Sequence, residues 1–136
     1  HVHGWMAAML PVYMKHFYKN EALFSETKIV TSVYAQSFDG ILNKGMINKV
    51  KFDGVPADAI ADLEIPNYEN IIKATINHSD AVIVASDNLS SSLTKFIESS
   101  GKPFYLSPRK THSRKRTLIS IKTKCFKLNF FHKYVQ

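Results

Sequence analysis

Apolar residues follow two different periods along this chain, and each switch of period marks an element. Met6, Met9, Leu10, Tyr13, Met14 and Phe17 recur at helical spacing, which predicts a helix reaching about Lys19. Pro11 lies inside that pattern. A proline is tolerated in a first turn, where its missing N–H has no intrahelical partner, so regular helix is predicted from near Ala8. Just upstream, His1 to His3 reads as the tip of a buried strand that Gly4 closes in a tight turn. The β-branched run from Lys28 to Tyr34 has the length and composition of a strand. Asp39-Gly40 ends the following loop. Asn43 to Phe52 is predicted as a short helix with Ile47 and Val50 on one face, broken by Asp53-Gly54-Val55-Pro56. The acidic segment from Ala57 to Ile65 is expected to be an exposed connection or a short helical turn.

The second half is more regular. Asn67 after Pro66 is a good N-cap, and Tyr68, Ile71, Ile72, Thr75 and Ile76 follow at i, i+3, i+4, i+7 and i+8. Ala81 to Ala85 is a continuous apolar run, as in a strand covered on both faces. Ser86 or Asp87 is expected to cap a helix whose apolar face is Leu89, Leu93, Phe96 and Ile97. Gly101 closes it, Pro103 blocks its continuation, and Phe104 to Leu106 fits a final strand. Strands alternating with helices predict an α/β fold with a doubly wound parallel sheet.

Length and composition narrow this picture. The 136 residues, 45% of them apolar, suit one folded domain with a modest core. No apolar run nears the ~18 residues of a membrane span, and no basic region precedes the apolar N-terminal stretch, so neither a membrane partner nor a signal peptide is expected. Cys125 is the single cysteine. That excludes an internal disulfide and fits a reducing, cytoplasmic location.

Charge divides the chain in two. Residues 1–108 carry nine lysines against eleven carboxylates, a net of −2, whereas 109–136 carry nine Lys and Arg and no acid. A domain at 1–108 followed by a basic tail at 109–136 is therefore expected. Three readings fit the tail: out-of-frame translation, a solvated extension without a role, or a nucleic-acid-binding arm using Arg114-Lys115-Arg116 and Phe126, Phe130, Phe131 and Tyr134. The nucleic-acid-binding arm is the least favoured of the three readings.

Three ordered motifs make the first part specific. They are His1-Val2-His3-Gly4-Trp5-Met6-Ala7-Ala8-Met9-Leu10-Pro11; Val30-Thr31-Ser32-Val33-Tyr34-Ala35-Gln36-Ser37-Phe38-Asp39-Gly40; and Asn70-Ile71-Ile72-Lys73-Ala74 followed by Ser79-Asp80-Ala81-Val82-Ile83-Val84-Ala85-Ser86. On these, the chain resembles the N-terminal, starch-synthase catalytic domain of bacterial glycogen synthases, glycosyltransferase family 5, in the flavour of a short single-domain type from Bacteroidetes-like bacteria. The family patterns are His-x-His-Asp-Trp-His, then Val-x-Thr-Val/Ile-His-Asn-x-x-Tyr-Gln-Gly, then Asn-x-x-Lys with a later Ala-Asp strand. The likeness covers about Val2 to Ser86, continues in element order to Leu106, and does not touch 109–136.

The resemblance implies part of the N-terminal half of a GT-B glycosyltransferase, in which two Rossmann-like domains close over a cleft. It implies transfer of glucose from ADP-glucose to the 4-hydroxyl of an α-1,4-glucan, with retention and without a metal. The substrate-binding positions that it carries over are His3, Gly4, Trp5, Met6, Tyr34 and Ala35. No catalytic residue, metal ligand or bound cofactor is assigned; ADP-glucose enters as donor substrate, and the glucan and nucleotide sugar are the expected partners, with a missing second domain or protein partner beside them.

Several of those positions depart from the family. Met6 stands for a His that contacts the donor glucose, and a thioether is only a weak acceptor where imidazole both donates and accepts. Gly4 stands for an Asp, and Tyr34-Ala35 for His-Asn. The family's Lys-x-Gly-Gly-Leu turn is absent, as is the domain that supplies cations to the diphosphate. Turnover by this chain alone is therefore not expected, and a non-catalytic glucan-binding or regulatory domain is the alternative. The missing first strands of such a domain also predict exposed apolar surface and poor solubility.

Structural roles compete with functional ones at single residues. His1 and His3 alternate as a metal pair would, but two ligands are too few. Trp5 fits a core anchor beneath the turn, and Met6, Met9 and Met14 fit core packing. Lys73 is expected to snorkel from a helix surface, Ser86 to cap a helix, and His16 and His78 to lie on the surface. Cys125 has no neighbouring His or helix signal to make it a nucleophile.

Overall fold

The structure, a computed structural model, describes residues 1–51 and 54–107. The expectations for the basic segment 109–136, with Cys125, and for Phe52 and Asp53 lie outside those residues. Four strands, β1 (Val2–His3), β2 (Val30–Val33), β3 (Ala81–Val84) and β4 (Phe104–Leu106), form one sheet in the order β1-β2-β3-β4. All neighbours are parallel. The helices are α1 (Met9–His16), α2 (Met46–Val50), α3 (Tyr68–Asn77) and α4 (Ser91–Ser99), with 3-10 turns at Trp5–Ala7 and Ala57–Glu64.

The order of the strands explains where the core sits. Each strand is added on the same side of its predecessor, so right-handed crossovers bring α1, α3 and α4 onto one face of the sheet. There α1 lies against α3 and α3 against α4. This is a one-directional part of a Rossmann-like sheet; among the described strands the order does not reverse.

Two apolar clusters join beneath those helices. Val33, Tyr68, Ile72, Ile76, Val82, Leu93 and Ile97 fill the space between sheet, α3 and α4. Ala8, Val12, Val50, Val55, Ile60, Leu63, Ile71 and Ala74 fill the space between α1, α3 and the 57–64 turns. Trp5 and Phe38 pack against both. Ile60 and Leu63 are fully buried, so the acidic 57–64 segment closes the lower core and is not an exposed connection. Its two apolar side chains turn in, while Asp58 and Glu64 stay exposed.

The hydroxyls of Thr31, Thr75 and Ser79, which enter the core, are paired. The Ser79 hydroxyl donates to the Thr75 carbonyl at 2.8 Å, which leaves its oxygen to accept the Thr31 hydroxyl at 2.6 Å. Thr75 Oγ1 in turn donates to the carbonyls of Ile71 and Ala8, at 2.8 and 3.3 Å. Neutral, mutually satisfied hydroxyls can be buried at little cost.

Some local expectations are corrected. Asn67 caps α3 as predicted, its side chain accepting the Asn70 N–H at 2.8 Å. For α4 the cap is Ser90, not Ser86 or Asp87; its hydroxyl accepts the Leu93 N–H at 3.2 Å. The loop after β3 must first cross from the sheet to the helix layer, and this uses up residues 85–89. β3 is not covered on both faces: Ala81 and Val82 are buried, Ile83 and Val84 only half so. Among the described residues, α1, α3 and α4 lie on one side of the sheet, and Ile83 on the other side is only half-covered. Lys73 does more than snorkel, since its ammonium lies 5.7 Å from the centre of the Phe96 ring and links α3 to α4.

Candidate functional site

All strands of a parallel sheet end on the same edge, and the loops leaving that edge converge. Here the edge carries Gly4-Trp5-Met6 after β1, Tyr34-Ala35 after β2 and Ala85-Ser86 after β3. Register brings the first two together. His3 lies opposite Ser32, and the side-chain period of two then aligns His1, His3, Ser32 and Tyr34 on the face away from the helices.

The contacts follow from that alignment. His3 Nδ1 lies 2.8 Å from the Tyr34 hydroxyl, with the ring centres 6.2 Å apart. His1 Nε2 lies 2.8 Å from Ser32 Oγ, and the two imidazoles stand 4.0 Å apart. Ser32 is buried, so the His1 contact satisfies a hydroxyl that water does not reach. Two imidazoles and two hydroxyls in a row can each donate and accept a hydrogen bond. That chemistry suits a polyhydroxylated ligand better than a phosphate, and no Lys or Arg occupies the three turns.

Gly4 turns the chain out of β1 at φ 66° and ψ 178°, a region that essentially only glycine adopts. A side chain there would meet nothing within 4 Å. The backbone, and not crowding, therefore demands glycine. An Asp at this position, as in the family pattern, would need a different turn.

Trp5 forms the floor of the edge. Its ring lies 4.8 Å from that of Phe38, and Phe38 meets Tyr68 edge-on at 6.0 Å. The Tyr68 hydroxyl donates to the carbonyl of Tyr34, and burial pushes that phenol above its ordinary pKa. An aromatic chain thus ties the turn after β1 to the loop after β2 and the start of α3. Phe38 and Tyr68 were not among the sequence candidates for the site. Tyr68 was legible only as a core position of α3, and Phe38 only as part of the second motif.

The structure separates the remaining candidates from this group. Met6 is 85% exposed and stands off the edge, so the expectation of core packing fails for it. Of the three methionines, Met9 packs against the core. The reason is geometric: residues 5–7 form a 3-10 turn, with three residues per turn, so the helical phase of α1 cannot be extended back to residue 6. Leu10 is exposed as well. Ala35, at the bend after Tyr34, is half-buried and brings only a methyl group. Ser86 is half-buried beyond β3.

Charged contacts gather at the opposite edge of the sheet. Lys15 meets both carboxylate oxygens of Asp80, and Lys102 donates to the Ser79 carbonyl at 2.6 Å. Burial pushes the Lys102 ammonium below its ordinary pKa. Among the described residues, no three His, Cys, Asp or Glu side chains lie close enough to hold a metal ion, and no helix is long and apolar enough to cross a membrane.

Known proteins resemble this arrangement in sequence. The family described as the starch synthase catalytic domain matches residues 1–101. The glycogen synthase of Pseudothermotoga lettingae is 33% identical over 88 residues, which cover 63% of this chain and 18% of that protein. Those of Thermosipho africanus and Thermotoga maritima are 28% and 30% identical over 88 residues, with the same coverage. The chain thus spans about a fifth of the length of the curated relatives it matches. No solved structure matches it. With its parallel sheet, its glycine turn after β1 and a family match over three quarters of its length, the chain belongs to the starch synthase catalytic domain family.

Proposed function

We propose that this chain is the part of a glycogen or starch synthase-like glucosyltransferase that meets the glucan. The reaction it serves is transfer of glucose from ADP-glucose to an α-1,4-glucan. The observation that carries this reading is the His3–Tyr34 contact at the strand ends, beside the Gly4 turn. His3, Gly4, Trp5, Tyr34 and Ala35 would frame the sugar, with Trp5 acting through packing. The chain works in a cytoplasmic enzyme, residues 1–108 form its folding unit, and 109–136 take no part.

Turnover by the chain alone is not part of the proposal. Stabilising a departing diphosphate is the main electrostatic task in such a transfer, and the turns at the strand ends offer it no cation. Titration of the full chain with a soluble maltooligosaccharide, followed by NMR, tests the reading. Shifts should concentrate at His3, Trp5 and Tyr34 and weaken in Tyr34→Phe. A folded sample that gives no shifts at those residues would sink it.

A second reading, a glucan-binding domain without catalysis, draws on the exposure of Met6. Met6→His puts back the imidazole that the family pattern has. If a whole enzyme carrying this chain gains activity with Met6→His while oligosaccharide affinity stays the same, the natural chain binds rather than catalyses.

A further inference from the structure

The expectation that His16 and His78 are ordinary surface histidines does not hold. His16, in the last turn of α1, and His78, the C-cap of α3, meet ring to ring at 5.0 Å in an edge-on contact. His78 Nδ1 lies 2.8 Å from the Ala74 carbonyl. A carbonyl only accepts, so that nitrogen carries a proton. His16 Nε2 is buried with no hydrogen-bond partner, and no other described buried side-chain N or O is in that position. Such an atom is rare in a native core.

We propose that the His16–His78 contact is an acid-released latch that clamps the end of α1 onto α3 while the His16 ring is neutral and opens when His16 takes a proton. A proton on Nε2 would place a charge, and a donor without an acceptor, inside the α1–α3 junction. The charged neighbours do not rescue it. His78 faces His16 from α3, Asp58 from the 57–64 turns, and Lys19 from the turn beyond α1. Burial is the main influence disfavouring the charged ring; His78 and Lys19 add to it, and Asp58 opposes them. Asp62, on the same turns, accepts from Asn77 at 3.1 Å, and Lys15, next to His16, is held by Asp80. The segment that the latch restrains leads into Phe17, Tyr18 and Phe24, whose rings touch one another and are exposed. Opening would free this aromatic turn while the sheet stays folded.

Hydrogen exchange of the full chain, corrected for intrinsic rates, reads the latch directly. The amides of Phe17 and Tyr18, both bonded to the Tyr13 carbonyl, report on it; those of β3 report on the sheet. With an ordinary imidazole pKa near 6.5 in the open state, opening at the Phe17 and Tyr18 amides should rise as pH falls from 7.5 to 5, by up to about thirty-fold. β3 should change far less. His16→Phe should abolish the pH dependence, and His78→Asn, which keeps a donor for the Ala74 carbonyl, should reduce it. Should His16→Phe fail to fold, the natural chain still decides the matter: opening at the Phe17 and Tyr18 amides must rise below about pH 7 while the His16 ring, followed by NMR, titrates below an ordinary imidazole. Equal loss of protection in β3 and at those two amides, or an unchanged pH dependence in His16→Phe, would overturn the proposal.

Discussion

Both carboxylate oxygens of Asp80 accept the Lys15 ammonium, at 2.9 and 2.8 Å, and one also accepts the Ile29 N–H at 2.7 Å. One side chain thereby joins α1, the entry to β2 and the entry to β3. Burial pushes the Asp80 carboxyl up, but the Lys15 and Ile29 hydrogen bonds and the Lys15 and Lys28 charges outweigh it and hold the pKa below the ordinary value.

A carboxyl with a depressed folded pKa contributes stability that is present above the unfolded value, ~3.9, and lost as pH falls through the folded one. Asp80→Asn should therefore flatten the acid limb of the stability curve below about pH 4. At neutral pH, Asp80→Ala should cost about 2 kcal/mol, since it strands both the Ile29 N–H and the Lys15 ammonium. Urea unfolding at a series of pH values checks both; an acid limb identical to that of the unmodified chain would refute the assignment.

Ser90 has two tasks, capping α4 and donating to Glu69 Oε1 at 2.6 Å. The Glu69 pKa is lowered chiefly by this hydrogen bond, with Ser92 and Lys73 helping and burial opposing. Ser90→Ala should cost about 1 kcal/mol through the lost cap and raise the Glu69 pKa. Carbon-detected NMR titration of the Glu69 carboxyl distinguishes this from a cap effect alone.

Gly4 offers a test of backbone against space. A Cβ at Gly4 finds no neighbour within 4 Å, so a purely steric view predicts no effect for Gly4→Ala. The φ of 66° and ψ of 178° predict a loss of about 1–3 kcal/mol instead. Thermal or urea unfolding of the variant separates the two outcomes.

Met6→His should change stability by no more than about 0.5 kcal/mol, because the side chain is 85% exposed. Any change in glucan binding or activity in that variant then belongs to the imidazole and not to folding. Trp5→Ala, by contrast, should cost about 3 kcal/mol, since both clusters pack against the indole. Equal melting temperatures for Trp5→Ala and the natural chain would contradict the packing described for that residue.

Much of this protein was legible in its residues alone. The period of α3, its Asn67 cap, the apolar run of β3 and the glycine stop after α4 are local signals, written within a turn or a strand's length. The motifs at His1–Pro11 and Val30–Gly40 named the family for the same reason: each is a contiguous run around a strand end. What depends on distant partners was not legible. Ile60 and Leu63 sit in an acidic stretch and become core only because α3 and α2 pack against them. Met6 continues the helical phase in sequence, yet the 3-10 turn rotates it into solvent. The His3–Tyr34 and His16–His78 pairs join residues that are 31 and 62 positions apart in the chain. Strand register made the first pair and helix packing the second, because side chains that far apart in sequence meet only where the sheet and its helix layer bring their backbones together.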